Sequence, residues 1–332
     1  MEGRINAVEA IIQEIRTRKA TNPKDKSYGV HAILQTLGLS LTAPDYSRDL
    51  GEIHKELFLK LLSWTKSLNL LLCANGPRED GQPSWVPDWR LDSDKMWLKP
   101  SQLFGRARNN ATPDSDPWWS NRDENKLVVR GRKINHVDWC GRPFQPVSET
   151  YDENERAAHI HNITLTRDQY RAHLVRTNPG ATFGDTCLRR SHYLDTKDDP
   201  SHVFLAEEHL WWTWDRIIQR VDTMTPSDVV ERMLSIPRLM EFHASLCNGL
   251  ANKSRTVFVT APHPLAVGNC PVGTQVGDVI ALVSGVPMPL VLREVAESGD
   301  YQLIGFAVVE AMTRGLAWKD AHEDDLEEIL LC

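Results

Sequence analysis

Asp88, His136, Asp138 and Glu310 are the ionisable side chains whose settings in the sequence suit proton transfer. Asp88 closes the run Pro83-Ser84-Trp85-Val86-Pro87-Asp88-Trp89, in which two prolines fix φ and predict an extended, rigid segment. A carboxylate between Pro87 and an indole is either an acid whose pKa desolvation raises, or a cap buried beside packing tryptophans. His136 and Asp138 lie two positions apart, so on a strand they share one side and the carboxylate can orient the imidazole. His54, beside Ile53 on an expected helix, reads as a polar-face residue. For each of these groups an ordinary structural role stands beside the catalytic one.

Indoles are the second chemical resource. The chain holds 11 tryptophans against 6 tyrosines, and each brings a large apolar face with an N–H that needs a partner. Trp85 and Trp89 from the proline-bounded run, with Trp211, Trp212 and Trp214, are candidates to wall a pocket for an apolar ligand; filling a core is the alternative for each. Trp211, Trp212 and Trp214 cannot all share the helix face that Leu210 and Ile217 bury, because neighbouring residues point about 100° apart. One at least must face solvent, a partner or a cavity.

Phosphate loops, the G-x-S-x-G elbow, H-E-x-x-H and the dinucleotide fingerprint are absent, so no cofactor is expected. His159-Ile160-His161 is the most metal-like pair, but in a helix or loop its imidazoles diverge. Asp198-Asp199 runs at once into Pro200 and reads as a helix cap. None of the six cysteines has C-x-x-C spacing, so neither a zinc site nor, without an apolar signal segment, a disulfide framework is expected.

The elements that would position these groups follow from periodicity. Ile5, Val8, Ile12 and Ile15 predict a helix over 4–19, and Leu50, Ile53, Leu57, Leu61, Trp64 and Leu68 a longer one over 49–67. Residues 69–74 look like a short strand, 90–125 like a long irregular excursion, and 126–137 like a strand. Asp199-Pro200 and Thr225-Pro226 open helices, with a break or kink at Pro237. Beyond 250, β-branched runs at 255–260, 278–284, 289–294 and 301–309 predict a small antiparallel barrel or sheet. The fold class is α+β, expected as one domain. N-terminal helices and the first strands fill 1–150, a helical insertion 151–250, and a β-rich module 251–320, with an acidic tail at 321–332.

Several blocks resemble one known family. Pro23-Lys24-Asp25-Lys26-Ser27-Tyr28-Gly29, then Pro44-Asp45-Tyr46-Ser47, then a helix and Pro83-Ser84-Trp85-Val86-Pro87-Asp88-Trp89 are similar to the part of fungal heterokaryon-incompatibility proteins that follows their signalling half. Thr274-Gln275-Val276-Gly277-Asp278, Gly285-Val286-Pro287, Pro289 to Arg293 and Tyr301-Gln302-Leu303-Ile304-Gly305 resemble the family's terminal blocks. The resemblance covers both ends and says little of 150–250. It implies a structural ion pair between Asp278 and Arg293, since the family pattern carries both. The signalling half is expected to be missing, because the first block begins at Pro23. The family's closing Y-V-H-G reads here Val308-Val309-Glu310-Ala311, which puts Glu310 where the family has histidine and makes it the preferred site for added acid chemistry.

A hydrophobic share of 41%, a charged share of 25% and a net charge of −7 are those of an ordinary globular protein without the basic face a nucleic acid demands. No apolar run approaches the ~18 residues of a membrane helix. The acidic tail reads as a solvated helical end, and the chain as cytoplasmic with free thiols. Two functions follow. One is binding and cofactor-free conversion of a small apolar metabolite by cyclisation, isomerisation or (de)hydration. The other is non-catalytic recognition of a protein partner in self/non-self signalling.

Overall fold

In the computed structural model of the chain, residues 8, 11, 15, 19–74, 81–90, 110–123, 125–144, 152–180, 182, 200–218, 223–249, 255–261, 266–319 and 322–332 are described. The fold is α+β, divided into two compact units. The first comprises Met1–His136 and Gly277–Cys332, the second Val137–Val276. The helix expected over 4–19, the acid pair Asp198-Asp199, Cys187 and the side chain of Glu310 lie wholly or largely outside the described residues. Val8, Ile11 and Ile15 are helical and buried.

The first unit begins with two short helices, α1 (Lys24–Tyr28) and α2 (His31–Thr36), followed by α3 (Leu50–Thr65). Asp49 caps α3 by accepting from Gly51 N–H at 2.7 Å, and Lys66 ends it in the left-handed conformation at φ 54°. The apolar stripe is buried as its spacing predicts, with Ile53, Leu57, Phe58, Leu61 and Leu62 at most 3% exposed. His54 is also wholly buried, so it does not occupy a polar face. Residues Leu68–Cys73 form a 3-10 helix, not the expected strand; Ser67 accepts from Asn69 N–H and starts the turn.

The β part of this unit is a closed circuit. Strands β1 (Trp119–Asp123) and β2 (Lys126–Cys140) are followed, beyond the second unit, by β5 (Val279–Val283), β6 (Leu290–Glu294), β7 (Tyr301–Phe306) and β9 (Glu327–Leu331). β2 pairs with β5, β5 with β6, β6 with β7, β7 with β9 and β9 with β2. All pairings but β7–β9 are antiparallel, so the expected antiparallel module is a five-stranded barrel with one parallel seam. β1 lies outside the barrel on β2, in a stretch that reads as irregular from sequence. The acidic tail is not a helical end: its residues 327–331 are the strand that closes the barrel, with Ile329 and Leu331 buried.

Closure turns on Gly131, which pairs with Glu327 on one edge and Val283 on the other. A Cβ at this position would lie 2.4 Å from the Leu282 carbonyl oxygen, so only glycine lets β5 approach. A register shift between Lys133 and Asn135 adds the local bend that closing a small barrel requires.

The second unit holds the last residues of β2 (137–140), strands β3 (Arg255–Ala261) and β4 (Val267–Pro271), and four helices. These are α4 (Glu153–Thr177), α5 (Pro200–Ile217), α6 (Pro226–Leu234) and α7 (Pro237–Gly249). Thr225 and Asp228 form a capping box on α6, and Pro237 starts α7 instead of kinking its predecessor. The core packs Trp211 and Trp214 of α5 against Phe242 of α7, with Ile160, Ile163 and Tyr170 of α4. β4, unrecognised in the sequence, is a hairpin partner of β3.

Ser84, in the proline-bounded run, stitches that run to the barrel. Its hydroxyl accepts from Leu303 N–H at 2.7 Å and donates to the Cys332 carbonyl, which also accepts from Ser84 N–H at 2.9 Å. Ser84→Ala leaves the Leu303 N–H buried without an acceptor and should destabilise the first unit by about 1–3 kcal/mol. Thermal unfolding of that variant, beside an exposed Ser47→Ala control, measures it.

Candidate functional site

The residues that carry the family resemblance meet in the first unit. Tyr28 of the first block donates its hydroxyl proton to the Asp45 carbonyl at 2.7 Å and accepts from Asp45 N–H at 3.1 Å. Tyr46 donates to the Asp25 carboxylate at 2.6 Å, a bond that raises the phenol's pKa, and Lys24 donates to the Tyr46 carbonyl. Lys26, buried, reaches the Arg90 carbonyl at the end of the third block at 3.2 Å. Trp85 of that block packs on Phe58, with ring centroids 5.4 Å apart, and donates its N–H to Asn125 O. The blocks are the clips of a scaffold.

Asp88 takes part in the same clip. Its side chain is 11% exposed, and it accepts from Arg90 N–H at 3.0 Å and from the guanidinium at 2.9 Å (Nε) and 2.6 Å (Nη2). A guanidinium holds its protons at every working pH, so its fork gives this carboxylate an ionic role. Trp89 is 1% exposed, and its indole N–H has no acceptor among the described residues. Asp278 and Arg293 form the pair that the resemblance implies: Nε donates at 2.8 Å and Nη2 at 2.9 Å to the two carboxylate oxygens, across the β5–β6 hairpin. Glu310 opens the short helix α8 (Glu310–Thr313) directly after β8 (Val308–Val309).

The second unit contains the remaining candidates. Trp211 and Trp214 are fully buried, and Trp214 donates to Thr164 Oγ1 at 3.0 Å. Trp212 is 46% exposed, as the helical spacing requires of one of the three, between His209 and the Arg216 guanidinium. Trp85 and Trp89 belong to one unit and Trp211, Trp212 and Trp214 to the other. Exposed His136 and half-buried Asp138 lie two positions apart along β2, but the imidazole nearest Asp138 is that of His173 on α4, with Nε2 2.8 Å from Oδ2 and not aligned for a hydrogen bond. Nδ1 of His173 faces Arg176 Nη2 at 3.1 Å. Arginine has donors only, so Nδ1 accepts and, in the neutral ring, the proton sits on Nε2. Trp139 stacks on the same ring at 6.1 Å and 29°. Sequence reading missed His173 because its partner is distant in sequence; its only signal is His173-x-x-Arg176 at one helical turn.

A second cluster places the Cys247 thiol 3.3 Å from His243 Nε2 and 3.6 Å from His159 Nδ1, all buried. Burial, then the neighbouring His159 and Arg156, push His243 down to about 4. Among the described residues, no group of three or more His, Cys, Asp or Glu is arranged to hold a metal ion, and no helix is long and apolar enough to cross a membrane. No family model, no curated protein and no solved structure matches the chain.

Two measurements follow. Asp278→Ala removes both acceptors of the Arg293 fork and should cost roughly 1.5–3 kcal/mol of stability, read from a denaturant midpoint; Arg293→Lys, which keeps the charge and loses the fork, should recover part of it. His243, neutral in the folded chain, takes up its proton more readily when unfolded. Its contribution is therefore whole above pH 6.5 and lost as pH falls toward 4, up to roughly 3 kcal/mol. Unfolding monitored between pH 7 and 4 should show this decline, and His243→Leu should flatten it.

Proposed function

We propose that this chain is related to the C-terminal portion of fungal heterokaryon-incompatibility proteins and acts in the cytoplasm by recognising a protein partner in self/non-self signalling. The observation that carries the reading is the mutual clipping of the resembling blocks: Tyr28 on Asp45, Tyr46 on Asp25, Lys26 on Arg90, and Arg293 on Asp278. Mutual bonding among residues of one sequence pattern is what a scaffold shared with that family would leave behind, and it supports the reading. The chemistry first expected of these blocks finds less support. Asp88 and Asp278 are committed to guanidinium partners, and Trp85, Trp89, Trp211 and Trp214 are at most 1% exposed and packed in cores. That distribution favours recognition over conversion of an apolar metabolite.

The test is genetic and chemical together. In a filamentous fungal host, deleting or over-expressing the gene should change the fraction of fused cells that die, without altering growth of unfused hyphae. Asp278→Ala, which loosens the barrel, should remove the effect of over-expression. Unchanged fusion outcomes, with a small molecule that accumulates on deletion and is consumed by the pure protein, would replace this reading with the metabolic one.

A further inference from the structure

Trp212 is an indole that the core of its own unit does not use. Its neighbours Trp211 and Trp214 on α5 are buried against Phe242, while Trp212 is 46% exposed. His209, one turn before it, and Arg216, one turn after, are exposed on the same helix face, since residues three and four apart are surface neighbours. The imidazole stacks on the Trp212 ring at 6.0 Å and 21°, and the Arg216 guanidinium lies over that ring, 4.8 Å from its centroid. Arg232 of α6, also exposed, reaches the end of α5 by donating from Nη1 to the Ile217 carbonyl at 3.2 Å.

Charge and rigidity say what such a stripe suits. The chain holds 45 aspartates and glutamates against 38 lysines and arginines, and arginines elsewhere take carboxylates: Arg90 holds Asp88, Arg167 holds Asp215 and Arg293 holds Asp278. Arg216 instead meets an indole, and no carboxylate among the described residues. Contact through the face of a ring leaves the N–H donors of the guanidinium for a second acceptor. The indole is flanked one turn away on either side, so a partner docking on it orders little that is not already placed. Tryptophan and arginine are also the residue types enriched among those that carry binding energy at protein interfaces.

We propose that the His209–Trp212–Arg216 stripe is the surface through which this chain takes a protein partner, and that the partner presents an acidic segment. An apolar side chain of the segment lies on the indole, a carboxylate takes the Arg216 fork, and Arg232 adds positive charge beside it. The proposal rests on the recognition reading and names its surface. Unpaired cations select carboxylates and repel a basic segment. A net charge of −7 disfavours the other polyanion, a nucleic acid, whose phosphates require a broad basic face.

The test uses the full chain and a short fluorescein-labelled peptide in which glutamates flank leucines, read by fluorescence anisotropy. Wild type should bind this peptide, more weakly as salt is raised, and should not bind the same peptide with lysines in place of the glutamates. Trp212→Ala should weaken binding about tenfold or more, and Arg216→Glu should reduce it below detection. Arg216→Lys, which keeps the charge and loses the fork, should fall between Arg216→Glu and wild type. All three positions are exposed in the chain, so thermal unfolding should match wild type. A wild type that does not bind the acidic peptide overturns the proposal, as do folded Trp212→Ala and Arg216→Glu variants that bind it as wild type does. Tighter binding of a single-stranded oligonucleotide at the same residues overturns it in favour of nucleic acid. Over-expression in the fusion assay separates the two readings. If wild type changes fusion outcomes and Trp212→Ala does so equally, the surface is wrong and recognition stands; if wild type changes nothing, recognition fails and the peptide series decides the surface by itself.

Discussion

The closure of β2 on both of its edges at Gly131 is the constraint on which the first unit depends. A five-stranded barrel needs one strand to accept neighbours on either side where the sheet curls back, and the strand must bend there. β2 does so by pairing Gly131 with β9 and with β5 at once, and by slipping register just beyond, at Lys133/Asn135. The closing strand is drawn from the acidic tail. Ile329 and Leu331 are buried while Glu328 and Leu330 are not, an alternation of period two over the last four residues of the strand. Lys133 answers Glu327 at 2.9 Å, so even the tail's charge has a local partner.

The proline-bounded run docks on this barrel through main-chain groups, and its sequence follows from that. The run is turned and not extended as its prolines predict, with Val86 N–H donating to the Pro83 carbonyl at 3.1 Å; the two fixed φ angles still lower the chain entropy lost on ordering it. Ser84 supplies a hydroxyl small enough to reach a strand N–H and a carbonyl together, while Trp85 fills the space against Phe58. Asp88 and Arg90 then close the run locally, and Lys26 ties its end to the first helix. Both indoles are buried here, and Trp85 finds its ring neighbour and its N–H acceptor within the same compact unit.

What the sequence made legible is what local periodicity and end signals encode. The stripe of α3, the capping box at Thr225, the strands around Val279, Leu290 and Tyr301, and the Asp278–Arg293 pair are all short-range or carried by a repeated pattern. One misreading has a local cause, and the others arise where long-range pairing overrides local character. Leu68–Cys73 is apolar enough for a strand but coils once Ser67 starts a tight turn. Residues 119–123, polar and aromatic, become β1 because β2 offers them an edge. The tail looks solvated until the barrel recruits it. The approach of His173 on α4 to Asp138 on β2 is equally long-range, and no local pattern signals it.

The described carboxylates differ in the partners they meet. Asp88, Asp278 and Asp215 are bound by arginines, whose protons never transfer and whose fork geometry fixes two chain segments at once. Such pairs suit a scaffold, and two of them lie in the blocks that resemble the incompatibility family. Asp138 instead meets an imidazole, with His173 Nε2 2.8 Å from Oδ2 but not aligned for a hydrogen bond. Such a contact lacks the paired, directed donors by which a guanidinium fork fixes its carboxylate. The resembling blocks lie in the first unit and this contact lies in the second, within the stretch that the resemblance does not cover.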